Sequence, residues 1–539
     1  MKTKAVPIIN QYTSGKEAQD SLRNYFRRVV TGQDVVFRST FYKGKTPTEV
    51  LFDWNKRLGS VAKQWPTLYQ FEMDLAKKVG PMSVMQPLDK RLPDIDHYYD
   101  DIVGHQEPIA DAAIDQLMLR LVPKVSGLPH VRDQWQTVAN MRLNTNSGLP
   151  YFNTRRSNVL TSSVPSYSYP DMEDVISVIG PKRLKFKTAA VLGWRGQEGG
   201  PNPSDVKQRV IWMFPFHVNV QELQVYQPLI EYFQDTIKYA PWIGVDAVDS
   251  EITALFDTKS SDQLVVCTDF TRFDQHFNPT CQAAAKQILQ GLIVGPEAAR
   301  WLEDVFPIKY MIPLMYNYGE IRKGIHGMAS GSGGTNFDET IVHMAMQYES
   351  AGRQGAPLNP HSMCLGDDGI ISYPGITVES VVDCYSSHGL EMNLDKQYAS
   401  TNDCVFLRRW HHNNYRIDGV CVGVYSTMRA LGKLMMQERY MNPDIWGPKM
   451  IALRQLSIIE NVKWHPLREE FAEFCMKGDK YRLGIDIPGF IANIQSEADK
   501  AIEHMPGFMS YAQAQGSEKN PISSWWIVSF LKRKMKKLR

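Results

Sequence analysis

The ten residues MCLGDDGIIS, 363–372, decide the architecture. MCL and IIS are apolar runs of strand length, and Gly366 and Gly369 stand where a tight turn needs unusual backbone angles. The stretch therefore reads as two short strands joined by a turn from which Asp367 and Asp368 project. Working outward, QLVVCTD, 263–269, is another short apolar run ending on an acid, as expected of a buried strand that delivers Asp269 at its tip. Between the two, Gly-rich SGSGGTN, 330–336, leads into FDETIVHMAMQYES, where Phe337, Ile341, Met344, Ala345 and Tyr348 recur at helical spacing. Downstream, TVESVVDCYSSHG, 377–389, predicts a helix with Val378, Val381, Val382 and Tyr385 on one face and Gly389 as its stop, and LEMNLDK, 390–396, alternates like a strand. The order strand, helix, hairpin, helix, strand predicts an α/β sheet layered with helices on one face. Beyond about residue 420 the pattern turns mostly helical, as in PLREEFAEFCMKG, 466–478, and predicts a separate helical subdomain.

At 539 residues the chain is too long for one simple core, and several subdomains around a large cleft are expected. Its 43% hydrophobic and 22% charged residues exclude a wholly disordered or fibrous protein. No run approaches the roughly 20 apolar residues of a membrane-spanning helix, and the start, MKTKAVPIINQYTSGKEAQ, lacks the apolar core of a signal peptide, so no membrane partner is expected. Seven cysteines without a C-x-x-C pair offer neither a zinc ligand set nor an even disulfide framework, and read as reduced core thiols. The net charge of +2 says little alone; a polynucleotide enzyme needs positive charge concentrated along a channel. Lys182, Arg183, Lys185, Lys187, Arg195, Lys207 and Arg209 supply such a concentration, interrupted by GQEGGPNPSD, 196–205, and read as a basic, loop-bearing hairpin; KRKMKKLR, 532–539, is a second cluster. His411 and His412 lack a third ligand at suitable spacing and read as surface residues, and Trp525 and Trp526 read as packing residues.

Hard divalent cations take oxygen ligands, and phosphoryl transfer to a 3′-hydroxyl needs charge neutralised on both attacking and leaving oxygens, which two such ions about 3.5–4 Å apart provide. Asp269 and the Asp367/Asp368 pair would serve if their strands are adjacent. Singly, an Asp after a strand or a lone GDD is a weak signal; the ordered set is far more specific.

DFTRFD (269–274), SGSGGTN (330–336) and LGDDG (365–369) resemble motifs A, B and C of viral RNA-dependent RNA polymerases in order and spacing. NSGLPYF (146–152) resembles the template-guiding motif G and KQRVI (207–211) the basic motif F. The helix followed by LDKQ resembles motif D, and VFLRRW (405–410) the primer-grip motif E. The likeness spans about half the chain, and DFTRFDQHF with GTNFDET is most similar to picobirnavirus polymerases, partitiviruses next.

The resemblance implies a right-hand fold with fingers, an α+β palm and a helical thumb in a closed arrangement. Its boundaries would be a bridging extension over 1–60, fingers over 61–262 and 282–325, palm over 263–281 and 326–420, and thumb with basic tail over 421–539. It implies template-directed RNA synthesis for a viral, double-stranded RNA genome. Two divalent ions, Mg²⁺ or Mn²⁺, would be held by Asp269, Asp367 and Asp368, and Lys396 would protonate the leaving pyrophosphate. Lys207 and Arg209, with Arg195 third, would grip the triphosphate. Asp274 and Asn336 would meet the ribose 2′-hydroxyl, with Ser330 and Thr335 orienting those bonds. Ser147, Gly148, Pro150 and Gly331 would line the template path, Arg408 and Arg409 would touch the primer or product backbone, and a thumb loop between 480 and 520 would support initiation. Implied partners are RNA, nucleoside triphosphates and viral capsid protein, for a monomer in the virion interior and host cytoplasm. Arg23, Arg27 and Arg28 share a helix face in the bridging extension. The alternatives are a reverse transcriptase or other palm polymerase, which Asp274 and Asn336 disfavour, and a capsid-associated RNA-binding protein, which has no need of intact motif acids.

Overall fold

The GDD hairpin forms, and its register explains where the acids lie. The computed structural model describes residues 6–123, 127–157, 159–501, 504–505 and 521–538. In it Met363–Leu365 and Asp368–Ile371 pair antiparallel, with Leu365 opposite Asp368. Val265–Thr268 lies against Asp368–Ile371 with Gly369 opposite Thr268, so Asp269, one residue on, comes level with Asp368. Tyr398–Ser400 completes the four-stranded sheet on the far side of Val265–Thr268.

Side chains of a strand alternate between faces, and here both faces are covered. Val266, Cys364 and Ile371 enter a core with Ile341, Val342 and Ala345 of the long helix Thr335–Arg353 and with Val381 and Tyr385 of the helix Val378–Ser387. Val265, Cys267, Met363 and Ile370 enter a second core with Val248, Ile252 and Leu255 of the helix Val245–Thr258 and with Cys404 and Phe406. The expectation of helices on one face is thus corrected. Double burial, at about 1.5–3 kcal/mol for each fully buried aliphatic side chain, is why the strands read as unbroken apolar runs.

The strand expected at LEMNLDK also begins later. Asn393 accepts the Asp395 N–H at 3.0 Å, Leu394–Lys396 forms one turn of 3₁₀-helix, and pairing starts at Tyr398. A local side-chain to backbone bond outcompetes the ladder here.

In the fingers, Ala190–Gln197 and Lys207–Met213 form a hairpin that carries Arg195, Lys207 and Arg209 and that Leu314–Asn317 and Glu320–Arg322 extend to four strands; Lys185 and Lys187 of the expected basic hairpin lie instead on Leu184–Thr188 in a separate three-stranded sheet. The thumb packs Thr427–Met435, Pro448–Glu460, Arg468–Gly478, Ile494–Ala501 and Trp526–Leu538 around one core that includes Trp525. The first sixty residues touch both. Leu22, Phe26 and Val29 of the helix Lys16–Thr31 join the fingers core, while Phe41, Val50, Trp54 and Leu58 join the thumb core. His411 is fully buried with Nε2 2.9 Å from Asp249, which corrects its reading as a surface residue. Among the described residues no helix is long and apolar enough to cross a membrane. Of the expected initiation loop, residues 502–503 and 506–520 lie outside the described residues.

Candidate active site

Asp269 is exposed just past the end of the strand Val265–Thr268, and its backbone is held by a side chain not among the expected site residues. Gln397 accepts the Asp269 N–H through Oε1 and donates through Nε2 to the Asp269 carbonyl, both at 2.8 Å. The amide thus substitutes for a neighbouring strand at the last residue before the chain turns. Asp367 projects from a turn in which Gly366 adopts a positive φ of 61°. Asp368 is anchored from below, where Oδ2 accepts the Leu407 N–H at 2.8 Å. That donor lies in the turn between the strands Asp403–Phe406 and Arg409–His412, where Leu407 and Arg408 both have positive φ, 49° and 62°.

The three acids feel one another. Burial in the cleft and then Asp367 push the Asp368 carboxyl up to about 7, against the pull of the Leu407 N–H. Burial, and to a smaller degree Asp269, raises Asp367, while Arg209 and Arg408 pull it down. Their oxygens do not all close to within 4.8 Å of one another, as the Glu349, Cys384 and His388 donors do. An all-oxygen set with surplus negative charge on one cleft suits hard divalent cations. The Glu349 group does not invite one. Its Oε1 takes Arg353 at 2.7 and 3.0 Å, its Oε2 takes the Ala110 N–H at 2.9 Å, and the guanidinium already balances the carboxylate.

Basic residues from the finger hairpin face these acids. The register sets Arg195 opposite Arg209 and Gln197 opposite Lys207. Arg209 is close enough to lower both Asp367 and Asp274. Burial, Lys78 and Arg209 lower Lys207, and Asp269 raises it. Arg195 instead pairs with Glu438 of the thumb at 3.0 Å.

The loop 330–336 is held in place by bonds within the protein. Asn336 accepts the Trp242 indole N–H at 2.8 Å through Oδ1, and its Nδ2 stays at the GDD turn, 4.0 Å from where a Cβ on Gly366 would stand, beside the buried Glu339 carboxyl. The Ser330 hydroxyl donates to Val210 O at 3.3 Å and that of Thr335 to Ser332 O at 3.2 Å, so both serve the loop backbone. A Cβ on Gly331 would stand 1.6 Å from Trp212 O, so its close approach is to the chain's own finger strand. Glu222 fastens the loop from beneath, accepting from the Ser332 hydroxyl and, at 3.1 Å, from the Gly333 N–H.

Ser147, Gly148 and Pro150 are buried; the Phe216 N–H donates to Ser147 O at 2.7 Å, so they shape the loop from within. Arg408 is exposed, but Arg409 is buried and donates to Asn461 O and Oδ1, both at 3.1 Å, pinning the hairpin to the thumb. Lys396 is exposed on its 3₁₀ turn.

Acids at the tips of neighbouring antiparallel strands, helices behind, a basic finger hairpin in front and a helical thumb beside them define a right-hand nucleic-acid polymerase. A family model described as viral RNA-dependent RNA polymerase matches residues 202–418. Over 518 residues the chain is 56% identical to the potential RNA-dependent RNA polymerase of Human picobirnavirus (strain Human/Thailand/Hy005102/-), covering 95% of this chain and 96% of that protein. Solved structures of the RNA-dependent RNA polymerase of a human picobirnavirus and of its insertion-loop deletion mutant superpose with TM-scores of 0.93 and 0.92. Each is 53% identical and covers 98% of this chain and 99% of its own. A Sicinivirus 3Dpol structure, 13% identical, shares the fold with a TM-score of 0.52 over 75% of this chain and 90% of that one. The chain belongs to the viral RNA-dependent RNA polymerases. It is an RNA-directed nucleotidyltransferase, and the reverse-transcriptase and RNA-binding readings are set aside.

Proposed function

We propose that Asp269, Asp367 and Asp368 hold two divalent cations and carry RNA synthesis at the mouth of the palm sheet. The observation behind this is the register that brings Asp269 level with the GDD turn. When bound, the cations supply charge neutralisation at the attacking 3′-oxygen and the leaving pyrophosphate. The protein's own part is positional: Gln397 fixes Asp269, and Leu407 fixes Asp368. Lys207 and Arg209 bind the triphosphate, the first as a point charge and the second as a planar fork. Arg195, engaged by Glu438, has the smaller share. Asp274 contacts the ribose. Exposed Arg408 takes the product backbone, and Lys396, beside Gln397, protonates the leaving group. Fingers over 61–262 and 282–325, palm over 263–281 and 326–420, and thumb from 421 are the divisions this reading uses; the cores cross them, since Leu117, Val225 and Trp301 pack with the palm sheet, and Val61, Leu68 and Val79 with the thumb.

Labelled ribonucleotide incorporation on single-stranded RNA with Mg²⁺ or Mn²⁺ tests the assignment. Asp269→Ala and Asp367→Ala should each lower synthesis by more than about 10³-fold, roughly 4 kcal/mol of transition-state stabilisation, with the fold intact by circular dichroism. Synthesis within tenfold of the parent in either variant refutes the metal site.

A further inference from the structure

We propose that Asn219 is a positioning residue for the RNA template, joining the loop 146–156 to the loop 330–334 so that the strand meets the two as one rigid guide. This rests on the reading of both loops as the template path. One segment holds them, the end of the strand Lys207–Met213 and the first two turns of the helix Phe216–Tyr232. Toward the first loop, the Phe216 N–H donates to Ser147 O, and a Cβ on Gly148 would stand 2.8 Å from Phe214 O. Toward the second, Trp212 O crowds Gly331, and Glu222 accepts from Ser332 and Gly333. Phe216, Asn219 and Glu222 follow one another at a spacing of three and so share one face of the helix. Asn219, 6% exposed, bonds to both loops at once. Its Oδ1 accepts from Arg155 Nη2 at 3.0 Å, and its Nδ2 donates to Gly331 O at 3.3 Å and to Glu222 Oε1 at 3.1 Å.

The chemistry at this point calls for an amide. The first loop presents a guanidinium, which needs an acceptor, and the second a backbone carbonyl, which needs a donor. Asn offers the two on separate atoms, where Leu offers neither and Asp only acceptors. Arg155 is otherwise weakly held. Its guanidinium lies 5.2 Å from the centre of the Phe216 ring, its Nη1 reaches Arg142 O at 3.4 Å, and its buried Nε has no hydrogen-bond partner among the described residues. Without Asn219 the Arg155 end of one loop and Gly331 of the other lose the side chain that ties them, and their separation is free to vary. The partners of Asn219 include no metal acid and no residue assigned to the triphosphate, so its loss falls on template binding.

The test measures the Kd for a single-stranded RNA template by fluorescence anisotropy, and the KM for ribonucleotide on saturating template, in the full-length enzyme. It compares the parent with Asn219→Leu, Arg155→Met and the two combined. Leu keeps the shape of Asn without a hydrogen bond. Its template Kd should rise about tenfold, the equivalent of about 1.4 kcal/mol and the worth of one or two such bonds, while the ribonucleotide KM stays within about twofold of the parent. Arg155→Met should raise the template Kd similarly, and the double variant should exceed the larger single loss by no more than about twofold, because both remove one joint. If thermal melting shows that Asn219→Leu does not fold, Arg155→Met, on the loop itself, carries the test with the same rise expected. A parental template Kd in the variant that carries the test, losses that multiply in the double variant, or a ribonucleotide KM that rises as far as the template Kd overturns the proposal. The reading of the loops is tested apart from the variants, by photo-crosslinking a thiouridine-bearing template to the parent. Crosslinks within 146–156 and 330–334 support it, and crosslinks confined to other segments overturn the template path and the role of Asn219 with it.

Discussion

At the scale of single residues, the positions that hold the acids matter as much as the acids. Gln397 makes two 2.8 Å bonds to the Asp269 backbone across 128 residues of sequence. Neutral hydrogen bonds contribute about 0.5–1.5 kcal/mol each, so if both act on the geometry of Asp269, Gln397→Ala should lower kcat by about 5- to 150-fold. It should also raise the Mg²⁺ concentration needed for half-maximal activity. Because Gln397 is only partly buried, the melting temperature should change little, and steady-state kinetics over a Mg²⁺ titration separates the two effects. A parental Mg²⁺ response would show that Asp269 needs no such clamp. The acids themselves were legible because three weak signals came in a fixed order. Gln397 and Glu339 were not, since nothing in local sequence says which side chain a distant backbone will meet. A signal for Glu339 did exist: Asp338 and Glu339 stand between Phe337 and Ile341, two of the apolar positions that recur at helical spacing, and a carboxyl that such a helix buries requires a partner. Asp338 satisfies the same rule with Tyr226 at 2.8 Å, Tyr310 at 2.6 Å and Lys309 at 3.1 Å.

At the scale of elements, Glu72 of the helix Pro66–Ala76 ties the N-terminal region to the start of the thumb helix Thr427–Met435. Its buried carboxylate accepts the Thr427 N–H at 2.8 Å, the Met428 N–H at 3.0 Å, and the Ser426 and Thr427 hydroxyls at 3.0 and 2.9 Å, with His465 Nε2 at 3.1 Å. An anion at a helix N-terminus also meets the positive end of the helix dipole. Burial alone would raise this carboxyl, but His465 and the backbone N–H groups hold it below its ordinary value of 4.5. A folded pKa below the unfolded one gives stability that is fully present above about pH 4.5 and is lost as the pH falls further. Glu72→Gln puts an amide against those donors and should cost about 3–5 kcal/mol near pH 7, with the gap to the parent narrowing below pH 4.5 in thermal melts. A pH-independent gap would assign the loss to packing. Element types were largely legible from periodicity, because the long buried helix and the hairpin each have a strong pattern. The second covered face of the sheet was not, since an unbroken apolar strand does not announce what lies on either side.

At the scale of the whole molecule, fingers and thumb are joined at several points. Phe37–Arg38 pairs with Met436–Gln437, Arg195 meets Glu438 at 3.0 Å, and Glu198, at the end of the finger hairpin, meets Arg429 at 2.6 Å and Lys433 at 3.3 Å. Among the described residues the arginines of Lys16–Thr31 expected to bridge fingers and thumb make no bond to the thumb; Arg23 turns to Tyr318 of the fingers at 3.1 Å, and apolar residues of that helix do the packing. Two opposed effects follow from Glu198→Gln. Removing an anion beside a basic channel adds at most the equivalent of one phosphate contact, which strengthens RNA binding severalfold and steepens the salt dependence by about one unit of slope. Breaking a mostly buried pair leaves Arg429 uncompensated near Arg408, at a cost of about 3–5 kcal/mol by the usual measure of such pairs. The second term is the larger, so the clasp should loosen and RNA should escape sooner. The lifetime of the elongating complex under heparin challenge should shorten by about tenfold, since 1.4 kcal/mol of the loss expressed in dissociation suffices for that. A lengthened lifetime with a steeper salt slope would mean instead that Glu198 tunes the charge of the channel and that the other contacts keep the ring closed without it.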